Sequence, residues 1–112
     1  MNRNFTQSIS VKCSDPAKVE QLIELLREWD RNQAQADIMG YMGLRLLADR
    51  ENPDEYLIVA DFGVVDPDVS AADEAARNNE RPETQATAAK MRAVLDEDAI
   101  FHDYDWEYLT DG

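Results

Sequence analysis

Three hydrogen-bonding side chains, Asn78, Asn79 and Arg81, fall close together in the polar stretch Glu74–Thr84. Grouped donors of this kind could hold an oxyanion or a quinone oxygen as negative charge develops on it. The same residues also suit a plainer task, ending one helix and capping the next, because Asn side chains compete with the backbone for hydrogen bonds. His102 is the only histidine, so it alone has an ordinary pKa near neutrality. With Tyr104 two residues on, it is the candidate proton carrier. The alternative is a histidine at a surface or an interface. Arg45 sits between apolar neighbours, where a guanidinium pairs across an interface with an acid such as Asp61 or reaches a ligand carboxylate. Trp106, Tyr104 and Tyr108 could stack on a planar ligand, but aromatic residues of a last strand also fill cores and interfaces. Trp29 is most simply core, and it could equally wall a pocket.

Other chemistries lack their parts. No Ser/His/Asp arrangement with a nucleophile elbow is present. The four glycines do not form a phosphate-binding loop. One histidine among scattered carboxylates has no metal-ligand spacing, so no metal is expected. Cys13 is the sole cysteine. It precludes an intrachain disulfide and fits a reducing compartment. With no apolar leader and no run long enough to span a membrane, the expectation is a cytoplasmic protein. The chain has 24 acidic and 11 basic residues, a net charge of −13. That balance argues against nucleic acid and anionic membranes as partners and favours solubility.

The elements that must position these residues follow from periodicity. At 112 residues and 44% hydrophobic, the chain should form one domain, residues 1–112. Phe5 to Cys13 alternates with period two and predicts a strand. Ser14-Asp15-Pro16 is a helix start. Val19, Leu22, Ile23, Leu26 and Trp29 then repeat at helical spacing, and the helix should fade over 32–37. Ile38 to Ala48 predicts a second strand, whose Gly40 and Gly43 point to a bulge or close approach. A polar turn leads to a third strand, Glu55 to Phe62, forming an antiparallel hairpin. Its Tyr56–Ala60 segment is apolar on both faces and must be covered on both sides. Asp68 or Ser70 can cap a helix from Ala71 that breaks at Asn78-Asn79 and restarts at Pro82. Thr84, Ala88, Met91 and Leu95 make a stripe on the restarted helix. Ile100 to Leu109 predicts the last strand.

The order β-α-β-β-α-β is the split, ferredoxin-like α+β arrangement: a four-stranded antiparallel sheet with two helices on one face. The other face keeps apolar side chains. A second copy of the chain, sheet against sheet, is the simplest cover, so a homodimer is expected.

This layout resembles the dimeric α+β-barrel superfamily, in particular the small antibiotic-biosynthesis-monooxygenase-like proteins. The resemblance rests on the first strand and helix, Ile58–Phe62, Ser70–Ala76, Asn79–Thr84 and Phe101–Asp105. It implies a homodimeric barrel with a pocket between helices and sheet in each subunit. Members include cofactor-free oxygenases of polyphenols or quinols and haem-degrading enzymes. The haem-degrading pattern is not met: the first strand carries Gln7 and no Asn, and Ser70–Asp98 holds neither Trp nor His. Asn78 or Asn79 matches the pocket Asn of the polyphenol oxygenases, whose nearby Trp is absent here. The resemblance thus implies binding of an aromatic or quinone-like small molecule, with cofactor-independent monooxygenase chemistry. In that case Asn78, Asn79 and Arg81 hold oxygens, His102 or Tyr104 handles a proton, and Trp106 or Trp29 lines the wall. The alternative is a non-catalytic dimeric binding or assembly module.

Overall fold

The computed structural model describes residues 3–35 and 40–110. The elements are β1 (Phe5–Lys12), α1 (Pro16–Gln35), β2 (Tyr41–Ala48), β3 (Glu55–Phe62), α2 (Ala71–Asn79), α3 (Pro82–Val94) and β4 (Ile100–Asp105). All strand pairings are antiparallel, in the order β2-β3-β1-β4. This is the split α+β, ferredoxin-like arrangement that the periodicity predicts, with its second helical segment divided in two. Ile38 and Met39, where the pattern starts the second strand, lie outside the described residues. No helix among the described residues is long and apolar enough to cross a membrane.

Local chemistry explains the boundaries. Asp15 caps α1 by accepting from the Ala17 N–H at 2.9 Å. Ser70 caps α2, its Oγ accepting from the Asp73 N–H at 3.0 Å. The Asp49 carboxylate accepts from the N–H groups of Glu51 and Asn52 at 2.8 and 3.2 Å. That fixes the β2–β3 turn. Gly40 has φ +76°, and its carbonyl accepts from the Gly63 N–H. A Cβ at Gly40 would lie 1.9 Å from the Gly63 oxygen, so only glycine permits this approach. Gly43, at φ +118°, accompanies the irregularity in register between Tyr41 and Gly43. Both features are of the kind that the two glycines predict.

Two boundaries depart from the pattern. α2 runs through Asn78 and Asn79, and the break falls at Glu80–Arg81. Arg81 is extended, at φ −68° and ψ 140°, because the residue before a proline is pushed out of the helical region. Pro82, rather than the asparagine pair, therefore sets the break. β4 ends at Asp105 rather than Leu109. It pairs with β1 only as far as Phe5, which lies opposite Asp105. One further bond, from the Trp106 N–H to the Asn4 carbonyl, completes the contact.

Strand alternation and register divide the side chains between two faces. Phe5, Ile9, Val11, Ile58, Ala60 and Phe62 face the helices. Leu22, Leu26 and Trp29 of α1 are buried against them, as are Ala71 and Ala75 of α2 and Val94 of α3. Trp29, Tyr41 and Phe62 form an aromatic run, with centroids 5.6 Å apart edge-to-face for Trp29–Tyr41 and 5.8 Å for Tyr41–Phe62. The other face carries Thr6, Ser8, Ser10, Arg45, Leu47, Leu57, Val59, Asp61, Ile100, His102 and Tyr104 in matching register.

Candidate functional site

Between the helices and the sheet lies a cavity of about 280 Å³. β1 contributes Gln7, Ile9 and Val11 to its wall, and β3 contributes Ile58 and Ala60. Leu22, Leu26 and Trp29 of α1 form a second wall. The third is the stripe Thr84, Ala88, Met91 and Leu95. These four residues were legible as one helical stripe. Periodicity shows only that they face inward, whereas the structure shows that they face a space. Ala88 carries the smallest side chain of the four. Asn79, Arg92, Asp98, Ala99 and Phe101 complete the lining. Arg92, Asp98 and Phe101 are exposed, Phe101 to 60%, so the mouth lies between α3 and the β4 edge.

The wall is apolar except for Gln7, Asn79 and Thr84 and the charges at the mouth. Behind Thr84 stands a buried polar cluster. Gln33 and Asn78 are only 1% and 2% exposed. Gln33 Nε2 donates to Thr84 Oγ1 at 3.4 Å, and Thr84 Oγ1 donates to Asn78 Oδ1 at 3.4 Å. Arg81 Nη1 donates to the same Asn78 oxygen at 3.3 Å. Arg81 also pairs with Glu83 at 3.2 Å. Among the described residues, Gln33 Oε1 and Asn78 Nδ2 are buried without a hydrogen-bond partner.

The candidate residues thus separate into two groups. Asn79 and Trp29 line the cavity, and Asn78 and Arg81 support its polar end. His102, Tyr104, Arg45 and Trp106 do not line it. Alternation puts His102 and Tyr104 on the face away from the helices, where their rings stack at 6.4 Å. The helix-facing residue between His102 and the strand start is Phe101. Arg45 Nη2 lies 4.0 Å from Asp61 Oδ2 on the neighbouring strand. This contact with Asp61 is made within one chain. Trp106 Nε1 donates to Thr6 Oγ1 at 2.6 Å, and Thr6 Oγ1 donates to Asp61 Oδ1 at 2.6 Å. Trp106 is thereby tied to the sheet's open face.

Gln33 is not among the sequence candidates, because the pattern fades over 32–37, whereas α1 continues to Gln35. Its signal was spacing: it follows Leu22, Leu26 and Trp29 by one more turn on the same side of α1. Phe101, Arg92 and Asp98 gave no comparable signal, because a mouth is defined by distance between elements. No three His, Cys, Asp or Glu side chains among the described residues are grouped to hold a metal ion. Cys13 is buried and donates to the Val94 carbonyl at 3.4 Å. Burial, then the charges of Asp96 and Asp15, raise its thiol pKa, which suits structure rather than nucleophilic attack.

No protein-family model matches the chain, and no curated protein matches it in sequence. Solved structures do match in shape. A Nitrosomonas europaea protein named for the antibiotic biosynthesis monooxygenases is 14% identical, with a TM-score of 0.75 over 98% of this chain and 96% of that one. A Caulobacter crescentus protein of the same designation is 12% identical, with a TM-score of 0.73 over 96% and 92%. A variant of SnoaB, a cofactor-independent oxygenase from Streptomyces nogalater, is 15% identical, with a TM-score of 0.71 over 98% and 99%. Together with the strand order and the divided second helix, these similarities show that the chain has the fold of the antibiotic-biosynthesis-monooxygenase-like proteins.

Proposed function

We propose that this protein binds a planar aromatic small molecule, of the phenol or quinol kind, in the cavity between α1, α3 and the sheet, and oxygenates it without a cofactor. The observation that carries the reading is the cavity itself. It is apolar, of a size for a small ring system, walled by Trp29 and polar at one end through Thr84 and Asn79. A quinol supplies its own electrons: quinol plus dioxygen gives hydroxyquinone plus water, with no outside reductant. The protein's part is to exclude water, hold the ring and stabilise charge on its oxygen. Asn79 and Trp29 are the proposed ligand contacts, and Asn78 and Arg81 their support. The likeness in fold to a cofactor-independent oxygenase agrees with this reading.

The protein is further proposed to act as a homodimer, in the cytoplasm. Leu47, Ile100 and Tyr104 on the sheet's open face are substantially exposed, and a second copy would cover them. His102, Arg45 and Trp106 then belong to the subunit interface rather than to the pocket.

A second reading has its own support. Among the described residues, no histidine, cysteine or tyrosine lines the cavity, so the wall offers no group that ordinarily titrates near neutrality. That favours a ligand-binding protein without turnover. The test is a thermal-shift screen of the purified protein against quinols, quinones and polyphenols, with oxygen uptake recorded for each hit. Stabilisation with uptake supports the oxygenase. Stabilisation without uptake supports the binding protein. No stabilisation across the panel counts against both and leaves an assembly module.

A further inference from the structure

Arg92 is the one cation in the cavity's lining, among the described residues, and Asp98 the one anion. The chain carries 24 acidic side chains against 11 basic ones, so an arginine here has many carboxylates to choose from. Lys90, two residues earlier on α3, pairs with Glu28 at 3.4 Å. Arg81, just before α3, pairs with Glu83 at 3.2 Å. The Arg92 guanidinium enters no ion pair or hydrogen bond among the described residues, and Asp98 at the same mouth does not pair with it. Its donors are left to solvent or to a ligand. Position favours the ligand. Thr84, Ala88 and Arg92 recur at four-residue spacing along one row of α3, and all three line the cavity. A helical side chain leans over the turn that precedes it, which for Arg92 is the turn of Ala88. Helical rise sets Arg92 about 12 Å from Thr84, so the two contact different substituents of one ligand.

We infer that Arg92 selects a carboxylate carried on the cavity's ligand, so that the protein takes an aromatic acid in preference to a neutral aromatic of the same shape. A guanidinium meets a carboxylate with two parallel N–H···O bonds. The apolar wall decides which way such a ligand enters, because an ionised carboxylate buried against it would lose its hydration without compensation. The charged group therefore stays at the mouth with Arg92, beside the exposed Phe101, and the ring goes inward. The far side of the ring then meets the neutral polar end at Thr84 and Asn79. Arg92 also lies in the last turn of α3, where a cation complements the helix dipole. That role is indifferent to the ligand's charge, so a charged and a neutral probe of one shape separate it from recognition. The inference rests on the aromatic-ligand reading above.

The test compares 2-naphthoate with 2-naphthamide, which has the same shape and no charge, by titration calorimetry on the full chain at neutral pH. Salt at about 0.1 M screens the chain's overall negative charge beyond about 10 Å. The expected result is 2-naphthoate about tenfold tighter, the lower end for a hydrogen bond to a charged group. Arg92→Met should remove that preference and leave 2-naphthamide affinity unchanged. Arg92 is exposed, so the substitution spares the core, and thermal unfolding verifies that the variant folds. Arg92→Lys keeps the charge without the planar fork and should keep only part of the preference. A 2-naphthoate preference that survives Arg92→Met overturns the role of Arg92. Equal binding of both probes by the unsubstituted protein overturns the carboxylate site but keeps the aromatic cavity. Binding of neither overturns the inference, and the thermal-shift screen above then decides separately whether the cavity takes any aromatic ligand.

Discussion

Ala88→Leu tests whether the space beside α3 is real. Ala88 lies mid-helix between Thr84 and Met91 on the cavity wall. Leucine adds about three carbons at a position where the helix gains or loses little by propensity. If those carbons enter the 280 Å³ space, they leave water and gain contacts. At about 0.8 kcal/mol per buried CH₂ the gross gain is about 2.4 kcal/mol. Fixing the leucine side chain costs about 0.5–1 kcal/mol. The expected net is a stabilisation of about 1.5 kcal/mol, or roughly 6 °C in Tm for a domain of this size.

The same leucine occupies the place of a ring system, so the most stabilised variant should also be the weakest binder. Urea denaturation at constant m-value gives the first quantity. Titration with the best ligand of the screen gives the second, with a loss of at least about tenfold expected. The result that refutes the reasoning is a destabilisation. In a filled core the added carbons would force neighbours off their rotamers and cost about 1–3 kcal/mol. A destabilised Ala88→Leu variant that still binds ligand as before would place the ligand elsewhere.

Thr84→Val keeps shape but leaves Gln33 Nε2 without its acceptor and Asn78 Oδ1 with Arg81 alone; urea titration should show a loss of about 1–3 kcal/mol, and Thr84→Ser, which keeps the hydroxyl, should lose much less. Burial first, then the hydrogen bond and charge of Asp30, raise the Tyr41 phenol above its ordinary 10.0. A raised folded pKa means that its contribution is complete below pH 10 and is lost as pH rises toward the folded value. The stability difference between the unsubstituted protein and Tyr41→Phe should therefore shrink between pH 10 and 11, by at most about 1.4 kcal/mol, and a difference independent of pH would contradict this. Gly40→Ala combines a φ of +76° with a Cβ 1.9 Å from the Gly63 oxygen; thermal unfolding should show a loss of at least about 2 kcal/mol. Ile100→Glu, on the open sheet face, should convert the proposed dimer to monomer in sedimentation without unfolding it.

Much of the fold was legible because its signals are local. Alternation in Phe5–Cys13 and Glu55–Phe62, the spacing of Leu22, Leu26 and Trp29, the Ser70 cap and the two glycines each describe a residue's relation to near neighbours. The errors came where a distant partner decides. Asn78 looked like a helix breaker, yet its side chain is engaged by Arg81 and Thr84, so it does not compete with its own helix. β4 was read four residues too long, because its end is set by where β1 begins. Arg45 and Asp61 lie on adjacent strands, 4.0 Å apart, a neighbourhood that register decides and charge alone does not.

The candidate site was legible in its walls and not in its chemistry, and the reason bears on function. Sequence draws the eye to groups that titrate, and so to His102 and Tyr104. Strand alternation puts both on the face that the helices do not cover. What the cavity receives instead is apolar surface, the neutral side chains of Gln7, Asn79 and Thr84 and, at its mouth, the charges of Arg92 and Asp98. Such a wall cannot do much proton transfer. It can select a ligand by the donors and acceptors on its ring and keep that ligand dry. A reaction here would have to draw its reactivity from the ligand, with proton exchange near the mouth, where Asp98 and Arg92 meet solvent. Asp98→Asn should then lower any oxygen uptake without lowering ligand affinity. Equal uptake by the variant would move the proton step onto the ligand itself or bulk water.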